Sequence, residues 1–192
     1  MATVTPARPV SAPAFDDPAP LAEGRWSSRN IAIHWTIVGL LGLQIVTQNW
    51  MEVFVERAEA GVPPGGWATF MGYAHMVIGT SIFVLMLIRI YDLVKVGRPD
   101  HDPREPSWAV WLATANHWAF YAILLAMPPA GALAYLLGND FLGEIHGWAG
   151  VALVALVILH ITGAFVSHGA FKAVTLKRKM PGQGAVPADA RR

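Results

Sequence analysis

Histidine stands out in this sequence, because the chain has seven histidines and no cysteine. An imidazole can bind a metal ion or exchange a proton near neutral pH. The absence of cysteine excludes disulfides, thiolate metal sites, iron–sulfur clusters and covalently attached c-type haem. Ionisable side chains in long apolar stretches are costly and usually functional. Six of the histidines lie in such stretches: His34, His75, His117, His146, His160 and His168.

The spacing of His146 and His160 predicts two metal centres rather than one. In an α-helix, their separation of 14 residues falls about 40° short of four full turns and rises about 21 Å. The two imidazoles then share a helix face but cannot bind the same ion, so each centre needs a partner from another helix. His75 is expected near the start of another helix and is the expected partner of His146. On depth alone, His34 matches either His160 or His168.

Haem is the metal group that two imidazoles per centre suit best. Zinc bound without cysteine usually takes three or four His, Asp or Glu ligands in one place. A b haem takes only two ligands from the protein, since the porphyrin nitrogens supply the other four. A flat macrocycle also needs small residues beside it, although glycine is common in membrane helices for packing alone. Three glycines follow a histidine by three or four residues and share its helix face: Gly79, Gly150 and Gly163.

The elements that position these histidines are predicted to be four membrane-spanning helices. Of the 192 residues, 54% are hydrophobic and 14% are charged, which is too apolar for an ordinary soluble domain. The net charge of +1 provides no basic field to hold nucleic acid. A membrane helix needs roughly 20 apolar residues, so the expected fold class is an all-α membrane protein with a four-helix bundle. Four long stretches contain no Asp, Glu, Lys or Arg: 30–51, 60–88, 106–139 and 145–171.

The distribution of basic residues predicts that both termini face the cytoplasm. Lys and Arg concentrate before the first stretch, between the second and third, and after the fourth, whereas the other two loops are acidic. Arg89, at the edge of the second stretch, is expected to snorkel to the inner interface. Residues 1–24 are interpreted as a disordered cytoplasmic tail without a signal peptide, 25–180 as the four-helix domain, and 181–192 as a flexible C-terminal tail.

The order of the histidines across the four spans forms a specific pattern. A His opens the first span, H-x-x-x-G opens the second, a His precedes M-P in the third, and H-x13-H followed by H-x7-H runs through the fourth. This pattern resembles the bacterial four-helix cytochrome b561 family, and only the long N-terminal tail departs clearly from it. The segments that carry the resemblance are RNIAIHW (29–35), AHMVIGTSIFVLMLIRI (74–90), NHWAFYAILLAMPPAGAL (116–133), EIHGWAGVALVALVILHITGAFVSHGA (144–170) and TLKRKMPG (175–182).

The resemblance implies a bacterial inner-membrane protein with two non-covalent b haems. It implies one haem bound by His34 and His160 and another bound by His75 and His146, which decides for His160 over His168. It also implies electron transfer between quinone in the membrane and a partner at the periplasmic side. Some family members are similar to superoxide oxidases, which pass an electron from superoxide to ubiquinone.

Two histidines, His117 and His168, are left without a ligand role. We expect His168 at the inner interface to contact a quinone or a haem propionate, helped by Lys172 or Arg29, because a neutral imidazole can exchange a proton there. A hydrogen bond to a backbone carbonyl is the alternative for His168.

Two other functions remain open at this stage. A haem b membrane-anchor subunit of a multi-subunit hydrogenase or periplasmic reductase would share this histidine pattern. A histidine-lined metal or proton transporter would hold no haem, but it would need a continuous polar path that the sequence mostly lacks. No nucleophile or acid–base pair is visible, so the expected class is an oxidoreductase or electron carrier. The acidic loops suit a basic c-type cytochrome as the outer partner better than anionic superoxide.

Overall fold

The computed structural model describes residues 26–99, 101–171 and 180. Each helix in this part of the chain is long and apolar enough to cross a membrane, and the described residues contain no strand. The prediction of an all-α fold with four spans is therefore confirmed. The predicted tails, 1–24 and 181–192, and Lys172 lie outside the described residues. The helices are α1 Ser28–Glu59, α2 Gly66–Val96, α3 Ser107–Leu137 and α4 Asp140–Ala170.

Side-chain caps and a tight turn set where these helices begin and end. At the start of α1, the Ser27 hydroxyl accepts a hydrogen bond from the Asn30 N–H at 3.1 Å. Between α3 and α4, Gly138 has a φ of 59°, a left-handed conformation that glycine adopts without strain. The side-chain oxygen of Asn139 then accepts from the Leu142 N–H at 3.0 Å. Such a short connection makes α3 and α4 antiparallel neighbours.

The two ends of the bundle differ in charge, and we call them the acidic end and the basic end. At the acidic end, the Phe54 ring of α1 lies 5.6 Å from the Tyr73 ring of α2 and 6.0 Å from the Tyr135 ring of α3. At the basic end, Arg29 of α1 donates to Asp92 of α2 through Nε at 3.0 Å and also through Nη2. The acidic end carries Glu52, Glu56, Glu59, Asp140 and Glu144. The basic end carries Arg29, Lys95, Arg98 and Arg104.

The helices form two antiparallel hairpins, α1 with α2 and α3 with α4, which meet mainly where α2 packs against α3. The extensive packing of α4 is with α3, so α4 reaches α1 and α2 through its side chains. Large apolar side chains elsewhere face outward, including Leu136 and Trp148, as a lipid-facing surface requires. One apolar cluster fills the centre of the bundle: Ile33, Ile37, Ile82, Met86, Tyr121, Leu124 and Leu153.

Substitution of Gly72 by alanine tests the packing at the acidic end. A Cβ atom at Gly72 would lie 2.8 Å from Cγ of Phe54, a buried ring that cannot move aside cheaply. We expect Gly72→Ala to lower the melting temperature of the detergent-purified protein, because overpacking costs about 1–3 kcal/mol. Gly42→Ala is the matched control, since a Cβ there meets no atom within 4 Å. Equal melting temperatures for the two variants would contradict this account.

Candidate functional site

The structure brings four of the six membrane histidines together as two pairs. The rings of His34 on α1 and His160 on α4, the basic-end pair, have centroids 6.3 Å apart. The rings of His75 on α2 and His146 on α4, the acidic-end pair, also have centroids 6.3 Å apart. Of the two partners that depth left open for His34, His160 has its ring beside it, whereas His168 lies about two turns further along α4.

The separation within each pair matches a metal ion held between two imidazoles. A metal ion lies about 2.0 Å from each ring nitrogen that binds it, and that nitrogen lies about 1.1 Å from its ring centroid. Two rings on opposite sides of the ion therefore have centroids about 6.2 Å apart. Within the described residues, no group of three or more His, Cys, Asp or Glu side chains is arranged to hold a metal ion. The donor set is two imidazoles per site, which fits a six-coordinate haem iron better than a structural zinc.

Both rings of the acidic-end pair are oriented by an oxygen atom of a neighbouring helix. His146 donates from Nδ1 to the backbone carbonyl of Met127 at 2.9 Å. Nδ1 of His75 lies 3.2 Å from the Thr47 hydroxyl oxygen. That hydroxyl donates to the backbone, with the Leu43 carbonyl 3.1 Å away, and therefore accepts the Nδ1–H of His75. In both rings Nε2 then carries the lone pair, as a metal ligand requires.

A close approach between α3 and α4 determines where His146 lies. A Cβ atom on Gly131 would be 2.7 Å from both Cε1 and Nδ1 of His146, so glycine is needed to leave room for the ring. Pro128 and Pro129 lie inside α3 just before this point, where they remove backbone hydrogen bonds and favour a bend. The glycine and the Met127 carbonyl together hold the imidazole in place.

The basic-end pair has a cation beside it instead of a neutral oxygen. Nη1 of Arg89 on α2 lies 3.2 Å from Nδ1 of His34. A neutral His34 that binds a metal ion through Nε2 would carry its proton on Nδ1, so the guanidinium beside it would act through its charge and not as a hydrogen-bond donor. Arg89 is only 8% exposed. The prediction that Arg89 snorkels to the interface is therefore wrong, since its charge is buried among the helices next to His34.

His117 lies closer to His160 than His34 does, with ring centroids 5.2 Å apart. That separation is about 1 Å shorter than a bridging metal ion needs. Nδ1 of His117 contacts the Ala113 carbonyl at 2.6 Å, and the Phe120 ring lies 5.6 Å from that of His160. His117 and Phe120 therefore pack around the His160 ring, and their geometry does not suit competition for a metal ion.

Comparison with known proteins identifies the family. The family described as prokaryotic cytochrome b561 matches residues 25–182, which include all four helices. The chain belongs to this family. It is therefore a multi-pass inner-membrane protein of a family that binds haem b and transfers electrons. The family interpretation made from the histidine pattern is confirmed.

Individual relatives are similar to this chain over nearly their whole length. The probable superoxide oxidase CybB of Yersinia pestis is 26% identical, and the alignment covers 82% of this chain and 96% of the relative. Cytochrome b562 of Cereibacter sphaeroides is 27% identical, with the same coverage of both proteins. Cytochrome b561 homolog 1 of Escherichia coli K12 is 29% identical, with 82% of this chain and 97% of the relative aligned.

The three glycines predicted to flank a macrocycle have different surroundings. A Cβ on Gly79 would lie 3.3 Å from the side-chain nitrogen of Gln44, so this glycine allows α1 to pack on α2. A Cβ on Gly150 would make an ordinary 3.6 Å contact with the methyl carbon of Met127, and a Cβ on Gly163 would meet nothing within 4 Å. Helix packing accounts for Gly79, and the role of all three beside a haem stays a prediction.

Two of the residues predicted to contact a quinone or a propionate, Arg29 and His168, lie at the basic end. Arg29 donates hydrogen bonds from Nε and Nη2 to the carboxylate of Asp92. His168 is half-buried in the last turn of α4, and Lys172 lies outside the described residues. Their shared role stays a prediction.

Sequence reasoning missed three residues that contact the histidine pairs: Thr47, Gly131 and Arg89. A usable signal existed for Arg89, because it follows His75 by 14 residues, the same spacing that relates the two histidines of α4. It therefore shares the face of His75 on α2 and lies at the depth of the other pair. Thr47 and Gly131 contact a histidine on another helix, and the periodicity of a single sequence does not show which residues of two helices meet.

Gly131→Ala tests whether this glycine holds His146 in place. The added methyl group would displace the imidazole from the Met127 carbonyl, so we expect the variant to bind less haem per chain than the parent protein. Haem content is measured by pyridine haemochrome assay on detergent-purified protein. Gly39→Ala, with no atom within 4 Å of the new carbon, should retain the parental haem content. Full haem content in Gly131→Ala would refute the assignment.

Proposed function

We propose that this chain is a di-haem b electron-transfer protein that connects the quinone pool with a one-electron partner at the periplasmic side. One observation carries the proposal: two histidine pairs, both including α4, have ring centroids 6.3 Å apart. His34 and His160 would hold one haem, and His75 and His146 the other. When bound, each haem would supply an iron that gains or loses one electron.

The protein's own contribution is to fix two sites at different depths and to keep them dry. The 14 residues between His146 and His160 on α4 correspond to a rise of about 21 Å. Two imidazoles per site leave no open position for oxygen, which favours electron transfer over oxygen binding. The buried apolar cluster at the centre of the bundle would limit the entry of water between the helices. Residues 25–180 would form this haem-binding domain.

We infer that the basic end faces the cytoplasm and the acidic end faces the periplasm, because cytoplasmic loops carry the excess of Lys and Arg. A periplasmic partner would then meet the carboxylates of the acidic end, which favours a cationic redox protein such as a basic c-type cytochrome. Superoxide is a second candidate donor, suggested by the name of the Yersinia pestis relative. Ubiquinone would react at the basic end, near His168, Arg29 and Lys172.

Haem stoichiometry tests the proposal directly. The purified protein should contain about two b haems per chain, with a sharp low-spin α band after reduction with dithionite. Alanine at His34 or His160 should remove one haem, and alanine at His75 or His146 should remove the other. His101→Ala, in an exposed loop, and His168→Ala should keep both haems. A folded but colourless protein would overturn the proposal and favour a histidine-lined transporter.

Cysteine labelling tests the orientation, because the chain has no cysteine of its own. Pro63 and Pro103 are exposed in the loops at opposite ends of the bundle. A membrane-impermeant maleimide added to intact spheroplasts should label Pro63→Cys and not Pro103→Cys, and lysis should make both variants reactive. The reverse pattern would invert the proposed topology without affecting the haem assignment.

A further inference from the structure

We propose that Arg89 makes the basic-end pair the more easily reduced of the two haem sites, so that an electron entering at the acidic end moves downhill toward the basic end. The inference rests on the proposed function, since it assumes a haem at each pair. It adds what the histidines alone do not determine, namely the direction in which the protein favours electron flow.

Arg89 places a permanent positive charge beside one site. Its Nη1 is 3.2 Å from Nδ1 of His34 and the residue is 8% exposed, so solvent screens its charge only weakly. The buried carboxylates at this end already have guanidinium partners: Asp92 is bound by Arg29, and Asp102 by Arg104. These carboxylates therefore do not cancel the charge of Arg89. A nearby cation disfavours the extra positive charge of oxidised iron and so raises the reduction potential of that site.

The acidic-end pair has the opposite environment. Both Nδ1–H groups donate to neutral oxygen atoms, that of His75 to Thr47 and that of His146 to Met127. Such donation raises the basicity of the ligating nitrogen, which stabilises oxidised iron and lowers the reduction potential. A single electron would pass from the acidic-end haem, which is oxidised, to the basic-end haem, which is reduced. The transfer therefore needs no proton and no further reactant.

A redox titration of the holoprotein, followed optically in detergent, tests the inference. Wild type should show two one-electron waves. Because His34→Ala should retain only the acidic-end haem, its remaining wave should be the lower one. Arg89→Gln should shift only the higher wave, and shift it to lower potential, whereas Arg89→Lys should move it less because a cation is kept. Lys95→Gln is the control: Lys95 is an exposed cation of the same end, so solvent screens its charge and its loss should move neither wave.

A second variant tests the other half of the argument without touching Arg89. Thr47→Val keeps the side-chain shape but removes the acceptor of the His75 Nδ1–H, so the lower wave should move to higher potential. This measurement keeps the inference testable if Arg89→Gln fails to fold.

The possible failures are distinguishable. A wild type with fewer than two haems per chain would overturn the proposed function. If the protein holds two haems, two results would overturn the inference alone. One is a His34→Ala variant whose single wave matches the higher wave of wild type. The other is an Arg89→Gln variant whose two waves do not move. An upward shift in Arg89→Gln would also overturn it, because Arg89 would then be stabilising a deprotonated His34 ligand.

Discussion

Both histidine pairs take one member from α4, so the geometry of this single helix constrains everything else in the bundle. Its histidines face one side because their 14-residue spacing is close to four turns, and α4 contains no proline that would disturb that relation. The remaining helices must bring a partner to each depth. An up-and-down bundle achieves this with α1 and α2, which begin at opposite ends and place His34 and His75 at different levels. The prolines occur in α3, where a bend does not alter the spacing of the ligands.

The apolar surroundings explain why the polar groups of the bundle are few and why the histidine rings have polar partners. An unpaired polar group costs several kcal/mol in hydrocarbon, and a neutral imidazole costs less to bury than a carboxylate or an ammonium group. The rings at the acidic end meet this condition through a hydroxyl and a carbonyl. Arg89 is the exception, since a buried guanidinium carries its full charge into the bundle. A cost of this kind is usually retained where the charge has a function.

The spans and the relative depths of the histidines were predictable from sequence, because membrane length, charge-free stretches and helical periodicity all act along one chain. Spacing alone could not choose between His160 and His168 as the partner of His34, since that depends on how far α1 and α4 slide past each other. The contacts of Thr47 and Gly131 were not predictable, because they depend on the rotation of α1 and α3 against their neighbours. Gly79 shows the same limit: sequence relates it to His75 on one helix face, but its close approach to Gln44 of α1 depends on how the two helices pack.

Under the proposed function, the charges that direct membrane insertion and those that would bias electron flow act in the same sense. Under the proposed orientation, the Lys and Arg residues of the basic end hold that end in the cytoplasm. The same excess of positive charge stabilises an added electron at that end of the bundle, and the carboxylates of the acidic end oppose one at the other. Exposed charges contribute weakly, since water and salt screen them within about 10 Å. A buried cation such as Arg89 escapes most of that screening, so one residue within the helices can outweigh several on the loops.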